Sequence, residues 1–214
     1  MSSTTHEYPA VRGAAIVLAA GASSRFEGVV KATLPVLGEP AVRRIVRLAH
    51  QGGFDPVVLV VGAHPETVTT ALGDARAQVV VHPDWASGRT GSLAAGIDAV
   101  GHAEAVLVWP VDHPFANATT VHALRTRADG DALGVWFIPM FAGRGGHPVV
   151  IRRPVFDAIR GLPADAPLRS LLPYFGPQVV RFPVRDSGVV ANIDTREAYD
   201  RATAESTEGP WTGD

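Results

Sequence analysis

The 214-residue chain has no cysteine. Disulfides and thiolate nucleophiles are excluded, and the composition is compatible with a reducing compartment. No sign of charge is in excess: Lys+Arg 19 against Asp+Glu 21 give a net charge of -2. No global positive field therefore draws the chain to nucleic acid or an anionic membrane, and any phosphate binding must be local. There is no apolar run of about 18 residues. The opening MSSTTHEYPAVRG lacks the basic and apolar regions of a secretory signal, so a cytoplasmic protein is expected. Two phosphate-binding patterns are missing: G-x-x-x-x-G-K-[ST], which disfavours a P-loop, and G-x-G-x-x-G after the first strand, which disfavours a dinucleotide-binding dehydrogenase. No histidine pair has the spacing of H-E-x-x-H, so zinc is not expected. Repeats, low-complexity tracts and linker-like stretches are lacking too.

What is present is 46% hydrophobic residues, enough for one substantial core. Runs rich in Val, Ile and Leu recur at 14–20, 57–61, 78–81, 105–111 and 132–138. They are apolar on both faces, as buried parallel strands are. After Gly38-Glu39-Pro40, the residues Val42, Ile45, Val46 and Ala49 share a helical face that Gly52-Gly53 ends, while Arg43, Arg44 and Arg47 read as a solvated face. Weaker helical patterns cover 66–72, 92–100 and 119–127. Strand and helix alternate as in an open α/β sheet, whose right-handed crossovers would cover both faces. From about residue 140 the alternation loosens; 149–151 and 178–184 read as further strands. One domain is expected over 13–205, with flexible termini at 1–12 and 206–214.

The first strand ends in Ala19-Ala20-Gly21, and Ser23, Arg25 and Lys31 follow. Such an ending brings backbone amides to the carboxyl edge of the sheet, where open α/β proteins bind ligands. Successive amides form an anion-binding concavity, and Arg25 and Lys31 can neutralise phosphate oxygens beside it. The plainer alternative is a tight strand-to-helix turn with two solvated bases. Asp112 follows the apolar run 105–111 and should emerge at the same edge, either to meet a cation or to cap the next helix. Asp194 or Thr195 could cap the last helix. His64, His82 and His113 end apparent strands and could line the same edge, whereas Trp85, Trp109 and Trp136 read as packing residues.

Leu18-Ala19-Ala20-Gly21-Ala22-Ser23-Ser24-Arg25, followed by Lys31, resembles the signature of nucleotidyltransferases of the molybdenum-cofactor type. The resemblance continues through Asp84-Trp85-Ala86-Ser87-Gly88 with Ser92-Leu93, through Val111-Asp112-His113-Pro114, and through Gly145-Gly146-His147-Pro148, which is similar to the Gly-His-Pro loop of the cytidylyltransferase branch. It ends at Asn192-Ile193-Asp194-Thr195. Arg196 stands where the family usually has proline, Asn192 replaces an aspartate, and His113 replaces glutamine or methionine.

The resemblance implies a single-domain, Rossmann-like (GT-A-like) α/β fold with a mostly parallel central sheet flanked by helices. It implies a nucleotide site at Leu18, Ala19, Ala20, Gly21, Ala22, Ser23, Arg25, Lys31, Ser87, Gly88 and Ser92. Arg25, Lys31 and Asp112 would be catalytic, Asp112 and Asp194 would hold Mg²⁺, and Gly146 and His147 would meet the acceptor. In the implied reaction an acceptor phosphate attacks the α-phosphorus of a nucleoside triphosphate and pyrophosphate leaves. Neither an enzyme nucleophile nor a general base is required, because the acceptor phosphate is already ionised. Ala-Ala-Gly, with a methyl where other members carry glycine, points to CTP over GTP, and the Gly145-Gly146-His147-Pro148 loop points to a molybdopterin-type acceptor. The implied partners are these two small molecules and a transient contact with a molybdoenzyme or cofactor-handling protein. A sugar- or alditol-phosphate cytidylyltransferase and a non-catalytic nucleotide-binding module are the alternatives.

Overall fold

The computed structural model describes residues 12–24, 26 and 28–207. Among the described residues, ten strands and seven α-helices follow one another. The first half of the chain contains β1 (Gly13–Ala19), a two-residue hairpin of β2 (Pro35–Val36) and β3 (Glu39–Pro40), α1 (Ala41–Gln51), β4 (Val57–Val61), α2 (Pro65–Leu72), β5 (Gln78–Val81) and α3 (Arg89–Ala99). The second half contains β6 (Ala105–Pro110), α4 (Ala118–Gly130), β7 (Trp136–Phe141), β8 (Arg144–Gly145), β9 (Val149–Arg152), α5 (Arg153–Arg160), α6 (Leu172–Phe175), β10 (Val179–Pro183) and α7 (Arg196–Thr207). The last helix thus runs two residues into the tail expected to be mobile.

The main sheet has the order β10-β7-β9-β6-β1-β4-β5, with β8 appended to β7. All pairs from β5 to β6 are parallel, whereas β9 runs antiparallel between β6 and β7. The mostly parallel sheet expected from the sequence is therefore present, and the loosening after residue 140 corresponds to this reversed strand.

Strand alternation divides the core. Ala15, Val17 and Ala19 of β1 pack with α1 and α4 residues such as Ile45, Val46 and Leu124. Ala14, Ile16, Leu18 and Ala20 face the other way, toward Leu93 and Ile97 of α3 and Phe156 of α5. A smaller cluster gathers Phe26, Leu34, Val36, Phe115, Ile193 and Tyr199. There Tyr199 Oη donates to Pro35 O at 2.6 Å, which ties α7 to the β2–β3 hairpin.

Three expectations change. The run at 78–81 is not buried on both faces: β5 is an edge strand, and Val81 is 58% exposed. The strand expected at 132–138 begins only at Trp136, because Asp131 Oδ1 accepts the N–H groups of Leu133 and Gly134 and turns the chain first. Arg44 is not on a solvated face. It is buried, and it donates to Pro114 O at 3.1 Å and Ala116 O at 3.3 Å. Burial pulls its pKa below the usual arginine value.

Candidate active site

The chain leaves β1 for β4 on one side and later returns to lay β6 on the other, so the strand order reverses between β1 and β6. Ligands of open α/β sheets bind outside the carboxyl ends of strands at such a point. Register places Leu18 opposite Pro110, and Val111 N–H reaches Leu18 O at 3.0 Å, so the two loops start level. A cavity of about 310 Å³ opens there.

One wall is the loop after β1: Leu18, Ala20, Gly21, Ser23 and Ser24 line it, and Lys31 closes it. Ser23 adopts φ +53°, the left-handed region that ordinarily favours glycine. The turn is held because Ser23 O accepts the N–H of Phe26 at 2.9 Å, and Ser23 Oγ accepts that of Lys31 at 3.0 Å. Lys31 is the only lysine in the chain. Arg25 lies outside the described residues.

The opposite wall carries the acids. Asp112 and Asp194 both line the cavity, joined through the backbone by Ile193 N–H donating to Asp112 O at 2.8 Å. Neither is needed as a helix cap. Asn117 caps α4 by accepting Thr120 N–H, and Thr195 Oγ1 accepts Ala198 N–H at the start of α7. Asp194 instead accepts from Lys31 Nζ at 2.7 Å. Ile193, fully buried in the third cluster, anchors this arrangement.

Asp112 is buried, and its Oδ1 lies 2.9 Å from His113 Nδ1. An ionised carboxylate only accepts, so Nδ1 carries the proton. Burial alone would raise the carboxyl pKa. The His113 hydrogen bond and the charges of His113 and Arg89 outweigh it and hold the group well below the usual carboxylate range. His147 is not an exposed loop histidine. It is partly buried, its ring centroid is 4.8 Å from that of His113, and its buried Nδ1 has no hydrogen-bond partner among the described residues. Burial is the main cause that pushes its pKa down to about 3. Gly146, also expected at the acceptor, is pinned beneath Val189, whose backbone a Cβ would meet.

The third wall is the segment before α3 together with the first turn of that helix, where Trp85, Ala86, Arg89 and Ser92 line the cavity. Ala19, Ala22, Ser87 and Gly88 do not. Ser87 Oγ turns back to Asp84 O, and Gly88 lies under the backbone of Ala164 with φ +144°. Ala22 O instead meets His64 Nε2 at 3.3 Å. Arg89 escaped the sequence reading although it directly follows Gly88. Its guanidinium lies 3.6 Å from Asp112 Oδ2.

Among the described residues no cluster of three or more His, Asp or Glu is placed to hold a metal. A pair of carboxylates facing one cavity, with Asp112 kept ionised, fits a cation such as Mg²⁺, which takes one or two carboxylates and completes its shell with substrate phosphates and water. No helix among the described residues is long and apolar enough to cross a membrane.

Comparison with known proteins bears on this site. The family model described as MobA-like NTP transferase domain matches residues 15–179. Nicotine blue oxidoreductase of Paenarthrobacter nicotinovorans is 35% identical over 151 residues, which are 68% of this chain and 72% of that protein. Bifunctional protein GlmU of Symbiobacterium thermophilum is 28% identical over 149 residues, 69% of this chain but only 32% of its own length. Among solved structures, Rv0371c from Mycobacterium tuberculosis H37Rv superposes with a TM-score of 0.79 at 26% identity, covering 92% of this chain and 99% of that one. A complex of Rv0371c with manganese gives 0.75 at 25% identity, covering 90% and 98%.

Proposed function

The chain belongs to the MobA-like NTP transferase family, and from that premise we propose that it transfers CMP from CTP to a phosphate-bearing small molecule, a molybdopterin-type cofactor in the first instance, with release of pyrophosphate. One observation carries this reading: a single cavity is lined at once by the small-residue loop after β1, by Lys31 and by both Asp112 and Asp194. A lysine beside the loop and acids opposite it suit a triphosphate with its cation. Asp112 and Asp194 would hold Mg²⁺, which when bound supplies charge neutralisation at the phosphates. Lys31, Arg25 and the loop amides would orient the phosphoryl oxygens, with the acceptor phosphate as nucleophile. The cytidine preference is supported by Ala20, which lines the cavity and whose methyl narrows it where glycine would not. A cytoplasmic location and a passing contact with the molybdoenzyme that receives the product belong to the same reading.

A second reading comes from the relative at 35% identity, which is named as an oxidoreductase. One experiment separates them. Pyrophosphate release is measured for CTP and GTP against pterin-type and sugar-phosphate acceptors, with a parallel assay for acceptor-independent redox turnover. CTP-dependent pyrophosphate release with a pterin phosphate is expected. Release with sugar or alditol phosphates alone would move the acceptor, and redox turnover without any pyrophosphate would replace the transferase assignment for this chain.

A further inference from the structure

Asp112 offers its two oxygens to partners of opposite character. Oδ1 is held by His113 Nδ1 at 2.9 Å, and that side chain is only 13% exposed. The loop fixes it further. Trp109 Nε1 donates to His113 O at 2.9 Å, His113 N–H donates to Pro110 O at 3.1 Å, and the ring lies against that of His147. Oδ2 faces Arg89 at 3.6 Å, a side chain 71% exposed on the first residue of α3. One oxygen is thus committed to a rigid partner and the other to a long base free to swing. Asp194 is similar in that its Oδ1 accepts from Lys31 Nζ, so each cavity carboxylate has beside it a base that lines the same cavity.

We propose that Arg89 is a triphosphate-binding residue that works by exchanging partners. A divalent cation takes Asp112 Oδ2, and the guanidinium it displaces binds an oxyanion of the triphosphate that arrives with the cation. The proposal rests on the nucleotidyltransferase reading and extends it to a residue outside the family signature. Its physical basis is that one carboxylate oxygen at the cavity wall cannot serve both a guanidinium and a divalent cation, since the two positive charges repel. Arginine is suited to the second role because its planar fork matches phosphate oxygens two at a time. Charge balance gives the consequence. A dication alone would leave Arg89 unpaired, and a polyphosphate alone would face two carboxylates, whereas both together leave every charge with a partner. Cation and triphosphate therefore bind cooperatively. No covalent bond changes in this step.

The test measures binding without turnover. Mn²⁺ binding to the full chain is followed by electron paramagnetic resonance in the absence of nucleotide, and CTP binding by equilibrium dialysis at saturating Mn²⁺, for wild type, Arg89→Gln, Arg89→Lys and Asp112→Asn. Losing one charge-assisted contact of an exposed side chain sets the scale at about tenfold. Arg89→Gln should bind Mn²⁺ alone more tightly, by up to about that factor, and bind CTP with Mn²⁺ less tightly by a similar factor. Arg89→Lys should stay close to wild type for Mn²⁺ alone and fall between the two for CTP. Opposite signs in the two affinities are the signature of exchange; a residue that merely held the loop would move both the same way. Unchanged or weaker Mn²⁺ binding by Arg89→Gln, or unchanged CTP binding, overturns the exchange while leaving the transferase reading intact. If wild type retains neither Mn²⁺ nor CTP when both are supplied, and Asp112→Asn behaves the same, the transferase reading itself falls and takes this proposal with it.

Discussion

The two walls of the cleft are built by opposite means. After β1 the chain offers main chain, small side chains and a single lysine, secured by contacts a few residues apart such as Ser23 with Phe26 and Lys31. The acidic wall is assembled from distant stretches. Asp112 is held by His113, with His147 from another loop against that ring; Arg44 of α1 grips Pro114 O and Ala116 O, and Ile193 N–H reaches Asp112 O. The first wall is held by local contacts, and the second by packing across the fold. Preorganised charge is what stabilises a transition state, so the acidic, fixed wall should dominate chemistry and the loop wall should dominate binding and choice of base.

Substitutions sharpen or break this contrast. The largest effect should come from the fixed wall. Asp112→Ala should lower kcat on the order of 10²-fold or more, roughly 2.7 kcal/mol, the scale for one preorganised electrostatic group. Steady-state pyrophosphate release by the folded variant checks this, and full turnover would remove the metal role. On the other wall, Lys31→Met should weaken triphosphate binding by about 10- to 100-fold, the range for a hydrogen bond to a charged group, with little change in the melting temperature. If Lys31→Met instead unfolds the protein while nucleotide affinity persists, the loop wall is structural. A smaller effect is expected from Ala20→Gly, which should shift the CTP:GTP ratio of kcat/KM by about 10-fold toward GTP, within the ~10- to 200-fold reach of a single pocket contact. Competition between the two donors measures it, and a wild type that prefers GTP would reverse the assignment of the base.

A separate effect, on folding rather than turnover, is on pH dependence. His147 is held neutral, with its pKa down to about 3 from an ordinary 6.5, so the unfolded chain takes up a proton that the folded one refuses. The stability it contributes is present above pH 6.5 and is lost as pH falls from there toward 3. Asp112 acts in the same direction only below its ordinary value of 3.8. The slope between about pH 6.5 and 4 should therefore flatten in His147→Gln, as denaturant melts at several pH values would show. An unchanged slope would mean that this ring is not the one kept neutral.

Sequence alone points to the loop wall, because strand, glycine and base follow one another within 20 residues and their chemistry is local. It also finds Asp112 and Asp194 as acids, but not how they are held. The contact of Arg44 with Pro114 O spans 70 residues, and helical periodicity reads the same arginine as solvated. That His147 packs against His113 is not legible in a glycine-rich loop; its backbone N–H donates to Val189 O, which draws the loop toward that ring. Arg89 has no motif of its own; only its distance from Asp112 marks it. An apolar run reveals that β5 is a strand without telling how many strands flank it. Asp131 with Gly134 is different: an Asx turn there was readable, and it would have placed the start of β7 correctly.

Because Lys31 is the only lysine, its side chain can be followed alone. Protein carrying ¹³C-labelled lysine should give one lysine Cε signal in NMR, and its titration with CTP in the presence of Mg²⁺ asks whether a triphosphate lies between the two walls. A saturable shift of that signal, absent in Asp112→Asn under the same conditions, is the expected result. A signal that stays in place at millimolar CTP and Mg²⁺ would contradict a nucleotide site in this cleft.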